Sequence, residues 1–399
     1  MAIPLRAARH LVATVCRPLP TELVPIADAV GRVLAAPLRA RTDLPPFANS
    51  AMDGYAVAAG PAGRTLRVIG QSLAGMPGPT SPGGGFAIRI STGAPLPPGT
   101  DAVVPDEQAT ADGGRVELHI DAARGLNVRV AGEDIRAGSR LLDAGIRLGP
   151  AELAVAIGTG HGDVICHRRP RVAVIGTGNE LRPPGDRLDD GQIHDSNTTT
   201  LAALATLAGA LVVSRDRVAD DHAATLRAIT AAVDAADLVL LSGGASVGPQ
   251  DHVRAALLEL GARQEFSGVQ VRPGRPAWFG TRDGLPVLAL PGNPVAAIVI
   301  FIMLGRPAVD ALAGRWPPPG PERARLTEAV RPAPGRTNII GATLPPATDG
   351  PLTAIPTGPL SAHATSRLLG LDALALIPPG ATPLPPGTPV EVVRISSQP

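Results

Sequence analysis

Between Arg171 and Leu304 the apolar residues fall into short blocks, RVAVI, LVV, LVLLS and PVLAL, separated by longer stretches of helical spacing. Blocks this short, rich in valine and leucine, read as buried strands. The spacing predicts a helix in SNTTTLAALATLAGA, with Ser196 as cap and Gly209 as terminator. It predicts another in DDHAATLRAITAAVDAA, capped by Asp220 or Asp221, a third in DHVRAALLELG, and a fourth from Pro294. Strands alternating with helices of this length imply βαβ crossovers and a parallel sheet covered on both faces. Residues 170–315 are therefore expected to form a three-layer αβα domain, with any ligand at the carboxyl ends of its strands.

The pattern differs elsewhere. Residues 46 to about 129 carry short β-like runs, LRVIG, FAIRI, AVV and VELHI, broken by glycine and proline, which predicts a β-rich lobe. A helix is expected near Pro150, since proline suits a first helical position. WPPPGPERA is a proline-rich linker, and residues 316–399 alternate apolar runs with turns like a small β domain. The fold class is α/β multidomain.

Composition narrows the chemistry. The 399 residues contain no lysine, so all 36 basic residues are arginine. A Walker-type phosphate loop, a pyridoxal Schiff base and a kinase lysine are thereby excluded. A net charge of +1 with 2% aromatic residues argues against nucleic acid as a partner. Cys16 and Cys166 have no metal or redox spacing, so free thiols of a reducing, cytoplasmic compartment are expected. The apolar run VAAIVIFIML falls short of the ~20 residues that span a bilayer, and no membrane contact is expected.

Three loops at strand ends share a design. They are GTGNEL (176–181), SGGASVG (242–248) and LPGNPVAA (290–297). Glycines let backbone amides approach a ligand, and a helix start adds free N–H donors and partial positive charge, which suits an anion. The binding contacts would come from Ser242, Gly243, Gly244, Ser246 and Gly248, and from Pro291, Gly292, Asn293 and Pro294. Asp220, Asp221 and Asp251 stand at helix starts, where capping is the ordinary role of an acid. Glu180 precedes no helix, and carboxylates beside a phosphate commonly hold Mg²⁺. Arg272 and Arg275 flank a Pro-Gly turn as a candidate clamp for a tetrahedral oxyanion. LPPFANSAMDGYAV (44–57) is too polar for a core strand and holds the only tyrosine, Tyr55.

Taken in order, PPFANSAMDGYAV, RISTGAPLPPGTDAVV, GEDI, TGNEL, DGQIHDSN, SGGASVGPQDH, RPGRP and LPGNPVA resemble the MoeA family of molybdopterin molybdenumtransferases, related to the gephyrin E domain. The resemblance implies insertion of molybdenum from molybdate into adenylylated molybdopterin, with Mg²⁺ as cofactor and AMP released. It implies a homodimer of four-domain subunits: 1–45 with 130–169 as a linking domain, 46–129, 170–315 and 316–399. The active site would lie between subunits, and a molybdopterin adenylyltransferase would be the donor. Asp53, Thr92 and Asp134 match positions reaching the site from the β lobe and its border. Arg272 and Arg275 match positions that are often lysine, and Arg336 and Ser366 match oxyanion contacts in the last domain. Mg²⁺ would fall to Asp220 or Asp221 together with Asp251. Two departures are Ala48 for an acid and Asn179 for an aspartate. Adenylyl transfer to molybdopterin and a non-catalytic scaffold are the alternatives.

Overall fold

The computed structural model describes residues 2–244, 252–315, 320–346 and 350–395. An N-terminal helix α1 (Leu5–Val15) precedes a linking segment made from two distant stretches of chain. Strand Thr21–Pro25 pairs with Asp163–His167, and Leu38–Arg39 pairs with Arg140–Leu142. Helix α2 (Pro150–Gly158) starts on proline as expected. Leu5, Ala8 and Val12 of α1 do not pack there; they enter the core of the α/β domain.

That domain is built on β1 (Arg171–Thr177), β2 (Leu211–Val218), β3 (Leu238–Ser242), β4 (Arg263–Ser267), β5 (Val271–Arg272), β6 (Trp278–Arg282) and β7 (Leu285–Leu290). The main sheet runs β2-β1-β3-β7-β6-β4. Its first four strands are parallel, but β6 runs antiparallel to both β7 and β4, so the sheet is mixed rather than parallel throughout. The reason is local. Asp283 (φ 49°) and Gly284 (φ 85°) form a two-residue turn between β6 and β7, and such turns match the twist of an antiparallel hairpin.

Alternation within RVAVI divides the two cores. Val172 and Val174 face the layer containing α3 (Asn197–Leu207) and α6 (Pro294–Leu312), while Ala173 and Ile175 face α4 (His222–Ala235) and α5 (His252–Glu259). Asp195 accepts from the backbone N–H of Thr198, so it caps α3 in place of Ser196, whose side chain makes no cap bond. Asp221 caps α4 through the N–H of Ala224, 2.7 Å away. Helix α6 carries VAAIVIFIML well past its end, through a widened turn at Phe301–Gly305 just ahead of Pro307. A widened turn accommodates the N–H that proline lacks. Length and a mean hydropathy of 2.0 would let α6 cross a membrane, yet 89% of it is buried inside this chain. It is a core helix.

In the lobe, Gly54–Val57 is a fully buried strand between Phe86–Ile90 and Ala102–Pro105. This corrects the reading of the 44–57 stretch as too polar for a core strand: only four of its residues enter the sheet, and polar loop residues dominate the rest. The guanidinium of Arg89 sits 5.0 Å over the Tyr55 ring and pairs with Asp106.

The C-terminal strands are β8 (Glu322–Leu326), β9 (Thr337–Thr343), β10 (Thr353–Pro359), β11 (Ala373–Ile377) and β12 (Pro389–Arg394). They close into a barrel in the order β9-β10-β8-β12-β11, and β11 returns to β9. Strand β5 of the α/β domain pairs in parallel with β9, Val271 opposite Thr337 and Arg272 opposite Asn338. Cys16 and Cys166 are free and buried, and burial pushes the Cys16 thiol up to about 12.

Asp237, just before β3, holds the amino ends of two strands together. It takes two 2.8 Å hydrogen bonds from Arg168 and one from the N–H of Arg171. Burial pushes its carboxyl up, but Arg168 and Arg171 outweigh this and leave it below its ordinary value. A depressed carboxylate contributes stability that is present above its unfolded pKa of about 3.9 and is lost as pH falls through the folded value. Asp237→Asn is therefore expected to cost about 2 kcal/mol near neutrality, and less at pH values below about 4. Urea denaturation across that pH range checks it.

Candidate active site

The crevice follows from strand order. The chain leaves β1 through α3 to β2 on one side, then returns through α4 to β3 on the other. The carboxyl ends of β1 and β3 are where the winding reverses. There a cavity of about 820 Å³ is lined by Gly176–Gly178 and Glu180, by Ser242–Gly244, and by Pro291–Pro294. The three glycine-bearing loops thus meet at one edge, as far as their described residues extend. Ser246, Gly248 and Asp251 lie outside the described residues.

Close packing fixes the floor. Gly243 has φ +92°, and a Cβ on it would fall 2.5 Å from the carbonyl oxygen of Thr177. Only glycine lets the chain pass. The Thr177 hydroxyl is buried without a hydrogen-bond partner among the described residues, beside the glycine cradle. Both features fit a phosphate-bearing ligand.

Sequence reasoning missed Asn197. Its amide donates to Ser242 Oγ at 2.8 Å and to the Gly292 carbonyl at 2.7 Å, joining the second loop to the third. It also missed Asp195, 2% exposed, whose carboxylate is used by Thr198, and His194 and His363 at the rim. The DGQIHDSN motif carried the signal for His194, Asp195 and Asn197. Nothing in the sequence brought His363 near.

Asp220 and Asp221 separate cleanly. Asp220 lines the cavity, accepts the Asn179 N–H at 3.2 Å on Oδ2 and has no partner on Oδ1 among the described residues. Asp221 does not line it and is occupied as a helix cap. Among the described residues, the acids around this cavity are Glu180, Asp195 and Asp220, and no arginine lines it.

A second cavity of about 390 Å³ adjoins it, sharing Pro276, Pro291, Asn293 and His363. Here the charge is reversed. Among the described residues, Arg272, Arg275 and Arg336 line it and no carboxylate does. None of the three has an ion-pair partner among the described residues. Gly274 (φ +109°) lets the Pro-Gly turn lie against Ile300 of α6, where a Cβ would come within 2.5 Å. Ser366 sits in a short helical turn, Thr365–Leu368, and lines neither cavity; Ser361 lines the second instead. Asp53 accepts from the Thr92 N–H at 2.8 Å, and Asp134 lies in the turn after Val130. Asp53, Thr92 and Asp134 line neither cavity of this chain.

The fold and its paired cavities define a multidomain α/β protein with a glycine-lined crevice at the switch point of its sheet. Family models match the chain in three consecutive parts: the MoeA N-terminal region (domains I and II) over residues 3–160, a probable molybdopterin binding domain over 173–311, and the MoeA C-terminal region (domain IV) over 323–395. The chain is 36% identical to a molybdopterin molybdenumtransferase of Haemophilus influenzae, over 81% of each chain. It is 35% identical to molybdopterin molybdenumtransferase 2 of Mycobacterium tuberculosis, over 94% of this chain and 95% of that one. A crystal structure of a molybdopterin biosynthesis MoeA protein from Pyrococcus horikoshii superposes with a TM-score of 0.80 at 32% identity, covering all of both chains. The chain belongs to the MoeA family of molybdopterin molybdenumtransferases.

Asn197→Ala removes both bonds between the second and third loops. We expect about 1–2 kcal/mol lower stability and at least tenfold weaker molybdopterin binding, read by denaturation and titration. Gly243→Ala should abolish that binding while the lobe and barrel stay folded, which amide exchange would show.

Proposed function

We propose that this protein inserts molybdenum from molybdate into adenylylated molybdopterin and releases AMP, the closing step of molybdenum cofactor synthesis. The observation that carries this reading is the pair of adjoining cavities with opposite linings. One offers glycine amides and carboxylates, and the other offers three arginines. A nucleotide-linked phosphate ester suits the first, and a small tetrahedral oxyanion suits the second.

In the first cavity the backbone of Ser242–Gly244 and the start of α6 at Pro294 would hold the phosphates, and the Thr177 hydroxyl has a bond to give. In the second, arginine forks would hold molybdate against the shared wall of Pro276, Pro291, Asn293 and His363. The bidentate fork preserves the charge of the lysine common in this family and adds directional donors.

The described residues include no cluster of three or more His, Cys, Asp or Glu placed to hold a metal. Mg²⁺ needs no such cage, because it keeps several waters and takes oxygens from one or two carboxylates and from substrate phosphates. Asp220 fits that role, with Glu180 near, and Asp221 does not. Bound there, Mg²⁺ would neutralise charge on the pyrophosphate and the departing AMP.

Asp53, Thr92 and Asp134 lie away from the cavities of their own chain, so we assign them to the site of a second subunit in a homodimer. A molybdopterin adenylyltransferase would be the donor. Two buried free thiols fit the cytoplasm. Adenylyl transfer as the main activity is disfavoured, because Arg336 of the C-terminal domain completes the arginine cavity.

AMP release should depend on molybdate, and release of equal rate without it would overturn the reading. Asp220→Ala should lower that rate at least ~100-fold, while Asp221→Ala should cost about 1 kcal/mol of stability and little activity. Arg272→Gln and Arg336→Gln should each raise the molybdate requirement at least ~10-fold. Mixing Asp53→Ala with Asp220→Ala subunits should restore about a quarter of wild-type sites, since half of random dimers hold one intact site. No recovery would place Asp53 outside a shared site.

A further inference from the structure

Outside the paired cavities, a third cavity of about 600 Å³ lies where α1, the end of α6 and the C-terminal barrel meet. Three cationic or basic side chains come from α1: Arg6, Arg9 and His10. Their spacing of three and four residues places them on one helix face. Apolar walls come from Leu5, Leu376 and Val390 with several prolines, and the one acid in the lining among the described residues is Glu391 of β12.

Arg9 is the unusual member. It has no hydrogen bond and no ion pair among the described residues, although burial depresses its guanidinium and Glu391 only partly offsets this. Arg306 lies near enough to add repulsion, and it too is depressed by burial. Arg9 is half-buried beside Glu391, and Arg6 and His10 are exposed, so their N–H donors remain free for an anion that enters the cavity. The partner that matches the Arg9 fork is a carboxylate.

We propose that this cavity is a second binding site, for a small organic monoanion with a carboxylate head and an apolar body. Arg9 grips the carboxylate, Arg6 and His10 add donors, and the body lies against Leu376 and Val390. Glu391 disfavours more highly charged anions, so phosphate and molybdate are poor occupants. The site differs from the arginine cavity, whose lining residues are all others. Thr337 contributes to its wall, one residue from Arg336.

Straight-chain carboxylates from butanoate to octanoate are the probe, titrated calorimetrically into the full chain. Binding should be saturable and tighten with length, by up to about fourfold per methylene. Arg9→Met, which keeps the apolar stem, should weaken octanoate at least tenfold. Glu391→Gln should tighten it several-fold, a gain that a misfolded variant would not produce. Arg272→Gln should leave it unchanged. The proposal is overturned by no saturable binding of octanoate up to about 10 mM (a free energy of about 2.7 kcal/mol). Loss of binding in Arg272→Gln with retention in Arg9→Met overturns it equally, as does inorganic phosphate competing as well as octanoate.

Discussion

A two-residue pairing, Val271–Arg272 against Thr337–Asn338, joins the α/β domain to the barrel. The arginine cavity depends on it. Arg272 lies on one of the paired strands, Arg336 directly precedes the other, and Arg275 follows across a turn seated on Ile300 of α6. Parallel pairing sets all three forks around one space. A register slip of one residue would turn Arg272 to the other face. The pairing is extended by the Thr337 N–H donating to the Gln270 carbonyl, and Gln270 is bonded in turn to Ile3. The amino terminus, the arginine turn and the barrel are thus held as one construction.

The division of charge between the two cavities follows from different parts of the fold. Carboxylates sit where strand ends of the parallel sheet meet helix starts, and Asp195 and Asp221 serve there as caps. Asp220, whose neighbour takes the capping role, is left to face the cavity. Arginines come from a turn and a barrel edge, where no helix needs them. Separation by a shared wall of proline and asparagine keeps the arginines from pairing with the acids. Were the two sets mixed, they would neutralise each other.

Much of the α/β domain was legible from local pattern. RVAVI and LVLLS are dense enough in apolar residues to be buried strands in any context, and Pro294 and Gly209 mark helix ends by backbone geometry alone. The hairpin at Asp283-Gly284 was legible too and went unread, which is why the sheet was expected to be parallel throughout. The buried strand Gly54–Val57 was hidden by the polar loop around it. Ser196 was the expected cap, but the Asp195 carboxylate reaches the same N–H groups.

The sequence by itself determined the chemistry available: glycine loops that admit a phosphate, acids at helix starts, and arginine as the sole strong cation. Those properties are local, set by φ preferences, donors and charge, and they need no partner to be read. Only the tertiary structure decided which of them meet. It chose Asp220 over Asp221 by giving one to capping, and drew in Asn197 and His363. It left Ser366 aside, and kept Asp53 away from the cavity of its own chain. Such choices depend on contacts between residues more than forty apart in the chain, as with Asn197 and Ser242. Closing those loops is worthwhile only when the whole core forms around them.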